Sequence, residues 1–273
     1  MATDTVSSAS AACGDLLTDV RHASPLVQCI TNFVAMNYAA NVLLAAGASP
    51  AMVHAPEEAG EFARLAGAVT INIGTPSSEW LEGMLAAAKA ATDAGRPWIL
   101  DPVAHFATAY RRKAIKELLA LHPAVIRGNA SEIMALAGQV SAGRGVDAGD
   151  SVEQAQAAAT SLARSSHAVV AVTGAVDFVT DGSHAVHIRG GSTWMPQVTA
   201  MGCALTGLIG AFAAVHPQDS FLATISALAC FSVAGEHAEA QSSGPGSFAY
   251  RFIDALAALD AQTLRAQARI VIA

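Results

Sequence analysis

The chain has 273 residues, of which 53% are hydrophobic and 14% charged, with a net charge of −7. That length suits one large α/β domain or two small ones, and an acidic chain without a basic cluster is not built to meet nucleic acid. The longest apolar runs, residues 204–215 and 222–234, fall short of the ~20 residues that span a bilayer, so no membrane partner is expected and the apolar excess points to a large core plus a subunit interface.

Residues 1–12 are rich in Ser, Ala and Thr, with no Lys or Arg and no apolar signal core. They are expected to form a disordered tail, leaving 13–273 as a single domain. Residues 11–22 place Leu16, Leu17 and Val20 on one helical face, and Pro25 follows. A short strand is expected at 26–30. Thr31 or Asn32 can cap a helix over 33–46, which Gly47 ends. A second strand follows at 51–53, then a helix at 57–66 with acidic residues in its first turn. The β-branched run 68–73, the helix 77–94, the strand 98–100 and the helix 109–121 come next. A strand at 124–126 and a short helix at 132–137 precede a Gly/Asp-rich loop at 141–151. Beyond it lie a helix at 152–164 and a strand at 168–173. Strands at 178–180 and 185–188 flank Asp181-Gly182, a hairpin signal. An extended stretch over 192–199 is expected, and then helices at 204–215, 221–240 and 247–259. This alternation implies a mostly parallel central sheet with helices on both faces.

In such sheets ligands bind beyond the carboxyl ends of the strands. Asn32, Gly74, Asp101, Arg127, Asn129, Thr173 and Gly174 all fall at expected strand ends. Asp101, before Pro102, is either a turn former or a Mg2+ ligand. Asn129 and Glu132 have capping-box spacing, and Glu132 can also face a metal-bound water. Arg127 suits phosphate oxygens, or else pairs with an acid. Thr173-Gly174 offers a hydroxyl and a close backbone approach. The small-residue stretch Ala200-Met-Gly-Cys203 precedes an apolar helical run. Read as a strand-to-helix turn, it offers the free amides of Met201, Gly202 and Cys203 as an anion hole. At a helix start the Cys203 thiol is expected to titrate below the free value of about 8.5; the alternative is a small-residue turn with Cys203 as inert filler. The four cysteines are scattered without a CxxC pair, which fits reduced thiols in a cytoplasmic protein. No histidine makes a metal-binding spacing, and only His105 lies beside an expected site residue. GxSxG, Walker-A and GxGxxG motifs are all absent.

Several stretches, in order, resemble one family. They are Ser24-Pro-Leu-Val-Gln-Cys-Ile-Thr-Asn32, Leu43-Leu-Ala-Ala-Gly-Ala-Ser-Pro-Ala-Met52, Asn72-Ile-Gly-Thr75, Leu100-Asp-Pro-Val103, Ile126-Arg-Gly-Asn-Ala-Ser-Glu-Ile133, Gly145-Val-Asp-Ala-Gly149, Val172-Thr-Gly174, Gly202-Cys-Ala-Leu205 and Gly244-Pro-Gly-Ser-Phe248. The chain is thereby similar to hydroxyethylthiazole kinases of the ribokinase-like superfamily. The resemblance implies a ribokinase-like three-layer sandwich. It also implies ATP-dependent phosphorylation of the hydroxyl of 4-methyl-5-(2-hydroxyethyl)thiazole, with Mg2+, in thiamine salvage. It carries thiazole contact to Met52, Ala200 and Asn32, ATP contact to Arg127 and Thr173, and metal or phosphate-end roles to Asp101 and Glu132. Cys203 falls where related sugar kinases hold the Asp that takes the hydroxyl proton. A homotrimer with the thiazole pocket between subunits is implied as well. The chain departs from the family in Ala200, where glycine is usual, and in Met201, His105 and Phe106, where smaller residues are usual. A hydroxymethylpyrimidine-type kinase, an ATP-dependent NAD(P)H-hydrate dehydratase and a catalytically dead nucleotide-binding protein remain as alternatives on the same fold.

Overall fold

The computed structural model describes residues 2–138 and 151–273. The expected loop at 141–151, apart from Ser151, and the 145–149 motif lie outside the described residues. Nine strands form one sheet: β1 (Leu26–Ile30), β2 (Ser49–Ala51), β3 (Ala68–Asn72), β4 (Trp98–Asp101), β5 (Val125–Asn129), β6 (Val169–Thr173), β7 (Val176–Thr180), β8 (Ala185–Arg189) and β9 (Arg269–Ile272). Their order is β2-β1-β3-β4-β5-β6-β7-β8-β9. The first six are parallel, and β7, β8 and β9 each run antiparallel to the strand before. The chain leaves β1 for β2 on one side and then crosses to β3 on the other. The strand order therefore reverses beside β1, where α/β sheets open a crevice.

Helices cover both faces. One layer holds α1 (Ala2–Ala23), α2 (Met36–Ala46), α8 (Met201–Val215), α9 (Ser220–Glu239), α10 (Pro245–Ala258) and α11 (Ala261–Gln267). The other holds α3 (Pro56–Leu65), α4 (Ser78–Asp93), α5 (Ala109–Leu119), α6 (Ala130–Leu136) and α7 (Val152–Ser166). A strand between two helix layers is buried on both sides, and every residue of β3 is buried. The three-layer α/β expectation holds. Helix α9 is long and apolar enough to pass for a membrane span, but 78% of its apolar window is buried inside this fold, as in a core helix.

Local chemistry sets several boundaries. Gly47 ends α2 at φ 98°, where its N–H reaches the carbonyls of Leu43 and Leu44. Ser77 caps α4 by accepting from Trp80 N. The capping box of Asn129 and Glu132 is formed in full. Helix α8 lies tight on the sheet because it carries small residues on its inner face. A Cβ on Gly210 would stand 2.6 Å from Thr70 Cγ2 of β3, and on the side facing α2 one on Gly207 would stand 2.6 Å from Leu43 Cδ1.

Four expectations are corrected. Residues 192–199 are not a strand: Gly190 and Gly191, at φ 131° and 89°, turn the chain out of β8, and Pro196 sits in a 3-10 turn, Met195–Gln197. Strand β5 continues through Arg127 to Asn129, so Arg127 lies within the ladder opposite Ala171. Helix α1 begins well before the expected residue 11 and runs through the segment read from composition as a tail. After α10 the chain adds α11, capped by Asp260, and β9.

Candidate active site

The parallel register brings the polar strand ends together. Asn72, the last residue of β3, lies opposite Asp101, the last of β4, and Asn129 lies opposite Thr173 across β5 and β6. Asn32, just past β1, accepts at its Oδ1 from Val34 N (3.1 Å) and Ala35 N (3.0 Å), which shapes the turn into α2. Its Nδ2 donates to Asn72 Oδ1 (2.9 Å) and to Cys203 Sγ (3.2 Å).

Asp101 is fully buried. Its Oδ2 accepts from Asn72 Nδ2 (2.8 Å), from Thr206 Oγ1 (2.9 Å) and from Arg127 Nη1 (3.5 Å). Its Oδ1 is buried and unpartnered. Burial pushes the Asp101 carboxyl up, against the downward pull of Arg127 and the hydrogen bonds. Glu132 Oε1 accepts from Ala104 N (3.0 Å) and Oε2 from Asn129 N (2.8 Å). Burial, and then the charge of Asp101, push its carboxyl up as well. Two buried carboxylates, the charge of Asp101 raising the proton affinity of Glu132, could together hold a cation. Mg2+ typically takes one or two protein carboxylates and fills its other positions with water and phosphate oxygens, so this pair fits it through the bare Asp101 Oδ1 and the remaining lone pairs of Glu132. Among the described residues no group of three or more His, Cys, Asp or Glu side chains gathers as a closed metal cage.

Arg127 reaches across to Thr173, donating from Nη2 to Oγ1 at 2.6 Å. Its guanidinium lies against Gly202, and a Cβ there would be 2.6 Å from Nη1 and 2.8 Å from Nη2. Ala200 occupies the N-cap position of α8 at φ 71°, with no side-chain cap. The ladder of α8 opens with Ala204 N donating to Ala200 O (2.8 Å), so the amides of Met201, Gly202 and Cys203 precede the first intrahelical bond. A guanidinium and an uncapped helix start thus share one corner, beside the free oxygen of Asp101. Met201 turns its side chain into the core and is 5% exposed, which leaves the corner unplugged.

Cys203 is half-buried, while the other three cysteines are fully buried. Its sulfur accepts from Asn32 and from Asn72 Nδ2 (3.2 Å). The expectation of a lowered thiol pKa is corrected, because burial and the Asp101 charge push it up to about 11, outweighing the two amide donors and Arg127. Gly174 N is held by Asp177 Oδ1 (2.9 Å), so of that turn only the Thr173 hydroxyl faces Arg127. Met52 stands just past β2, half-buried at the same rim. His105 is buried beside Pro102, with Nδ1 3.3 Å from the Pro102 carbonyl.

Three further residues build the site. Asn72 links Asn32, Asp101 and Cys203. Thr206 binds Asp101 from one turn along α8. Arg111 donates to the carbonyls of Ile73 (2.8 Å), Val103 (2.8 Å) and Gly74 (2.7 Å), clamping the loops after β3 and β4. The Asn at the end of the 68–73 run was a visible signal for the first. Thr206 and Arg111 carry no local signal, because the partners that tie them to the site, Asp101 for the one and Ile73 and Gly74 for the other, are far away in sequence.

The protein-family profile described as "Hydroxyethylthiazole kinase family" matches residues 17–262. A hydroxyethylthiazole kinase of Rhizobium johnstonii is 68% identical over 257 residues, covering 94% of this chain and 96% of that protein. One from Cereibacter sphaeroides is 61% identical over 258 residues, covering 94% and 98%. The solved structure of a hydroxyethylthiazole kinase protein from Pyrococcus horikoshii OT3 superposes with a TM-score of 0.87 at 40% identity, covering 96% of this chain and 98% of that one. A pyridoxal kinase from Staphylococcus aureus shares the fold at a TM-score of 0.58 and 16% identity, covering 78% and 87%. With the family profile spanning nearly the whole chain and relatives above 60% identity over almost their full length, the chain belongs to the hydroxyethylthiazole kinase family.

Proposed function

We propose that the protein transfers the γ-phosphoryl group of ATP to the hydroxyl of hydroxyethylthiazole. The observation that carries this reading is the shared corner: Arg127 lies on Gly202 beside the free amides of α8, and the bare oxygen of Asp101 lies at the same rim. Phosphoryl transfer passes through a loose transition state whose spread charge needs aligned positive partners more than covalent help. Arg127 and the amides of Met201, Gly202 and Cys203 supply those partners, and Thr173 holds the guanidinium in place. Asp101 and Glu132 would hold Mg2+, which when bound neutralises charge on the β- and γ-phosphate oxygens.

Asn32, Met52, Ala200 and Cys203 form the alcohol end. A thiol held near 11 is neutral at pH 7, so Cys203 orients the hydroxyl more than it draws the proton. A loose transition state requires a proton acceptor only late. The Ala200 methyl, at the N-cap of α8, narrows the thiazole side of the corner.

Self-association as a homotrimer is part of the same reading. Phe33 and Val34, next to Asn32, are 66% and 62% exposed, and Leu44 and Leu65 are 59% and 69% exposed. Of these, Phe33 and Val34 lie beside the site, and large apolar side chains left in the open suit burial against a second subunit. Four cysteines, all free, suit a reducing cytoplasm.

Mass spectrometry of the product from ATP, Mg2+ and hydroxyethylthiazole tests the reaction. A parent-plus-phosphate ion is expected. ADP and phosphate without it would favour the dehydratase chemistry. ATP binding without thiazole-stimulated ADP release would leave a nucleotide-binding protein. Light scattering tests the assembly, with three times the 27.7 kDa chain mass expected.

A further inference from the structure

We infer that Asn72 is a positioning residue for phosphoryl transfer, whose side-chain amide holds the Asp101 carboxylate and the Cys203 sulfur in one fixed arrangement. This rests on the site reading above. Asn72 is 3% exposed at the carboxyl end of β3. Its amide fills every hydrogen-bonding position it has. Nδ2 donates to Asp101 Oδ2 (2.8 Å) and to Cys203 Sγ (3.2 Å). Oδ1 accepts from Asn32 Nδ2 (2.9 Å) and Gly74 N (2.9 Å). Four chain segments meet on this one group: the turn after β1, the turn after β3, the end of β4 and the first turn of α8.

The side-chain type follows from those partners. A primary amide brings two donors and a two-lone-pair acceptor on the shortest possible stem. Aspartate has the same shape but would set lone pairs against Asp101 Oδ2 and against the sulfur. Leucine would strip a donor from both. The consequence reaches the reacting end through Asp101. Asn72 and Thr206 together occupy Oδ2, with Arg127 a longer third partner, and this leaves Oδ1 bare. Without Asn72 the carboxylate can turn about its terminal torsion and exchange its two oxygens, so the bare position is no longer set. Cys203 would keep one amide donor, Asn32, and lose its fixed distance from Asp101.

The test is steady-state kinetics of the full-length protein with ATP and hydroxyethylthiazole, comparing Asn72→Leu, Asn72→Asp, Thr206→Val and the Asn72→Leu/Thr206→Val double variant. A positioning role lowers kcat about 100-fold in Asn72→Leu and further in Asn72→Asp, with both KM values within about threefold. Because Asn72 and Thr206 act on the same oxygen, the double variant should fall less than the product of the two single losses. If the Asn72 variants do not fold, Thr206→Val alone still reads the claim: its kcat should drop at unchanged KM. Unchanged kcat with a lowered melting temperature, or a loss confined to KM, would overturn the inference and leave the kinase reading standing. A wild-type protein with no turnover on the thiazole alcohol would overturn both.

Discussion

Gly202→Ala puts the phosphate corner to a sharp test. The added Cβ would sit 2.6 Å from Arg127 Nη1, where ordinary contacts begin at 3.4 Å, so in a close-packed site the guanidinium must retreat by about 0.8 Å. Retreat stretches the 2.6 Å bond to Thr173 and the 3.5 Å contact with Asp101. Stability should change little. Alanine in a helix gains up to ~1 kcal/mol over glycine, against about 1.5–3 kcal/mol for a weakened hydrogen bond to a charged group. Activity should change much more, because a misplacement on the order of 1 Å in a preorganised site costs about 100-fold. The assay is thiazole-dependent ADP release with ATP varied, beside a urea melt. A fall in kcat/KM for ATP of roughly two orders, with the melt shifted by no more than ~2 kcal/mol, is expected. A variant with kcat/KM within a factor of about two of wild type would refute the placement of Arg127 at the reacting phosphate, since so small a change is far below the cost of a displaced charge.

Three other outcomes follow from single positions. Ala200 sits at φ 71°, a region that costs a non-glycine residue about 1–2 kcal/mol, so Ala200→Gly should leave the protein as stable or up to ~1 kcal/mol more stable, and widen the range of accepted alcohols; a clear loss of stability in a chemical melt would contradict this. Burial lowers the His105 pKa to about 4. The unfolded chain takes up that proton near 6.5 and the folded protein refuses it until about 4, so stability should fall by about 3 kcal/mol as pH drops through that window. His105→Gln should flatten the slope between pH 7 and 4.5, and an identical slope would dismiss the assignment. Cys203→Ala should keep turnover within about tenfold, because a neutral thiol is not doing the 100-fold or greater work of a general base; a larger loss in initial-rate measurements would restore the base role.

What could be read from the chain alone was whatever is local. Gly47 after an apolar helix, Asp101 at a strand end, and Asn129 with Glu132 three residues on each carry their structural reason within a few neighbours. The β-branched run at 68–73 and the hairpin signal at Asp181-Gly182 behaved the same way, although the hairpin loop spans residues 181–184. What failed depended on distant partners. Helix α11 packs against α1, almost the whole chain away, and β9 closes onto β8 with Ile270 opposite Ile188. The stretch 192–199 has extended composition but is turned by the glycines before it. The lowered thiol pKa was a sound inference from a helix start, but it left out the burial of Cys203 and the nearby Asp101. Asn72, Thr206 and Arg111 matter only because strand register and the approach of α8 deliver them.

The notches that seat α8 on the sheet have a consequence for the reacting end. Gly210 lies eight residues beyond Gly202, about 12 Å along the axis at 1.5 Å per residue. Any side chain there would meet Thr70 and Val27 and lift or slide the helix as a rod, carrying its leading amides with it. On the proposed reading, the height at which those amides would grip the donated phosphate is therefore set in part by a methyl-free patch more than two turns away. A screen for altered turnover that looked only at residues near the ligands would pass over it.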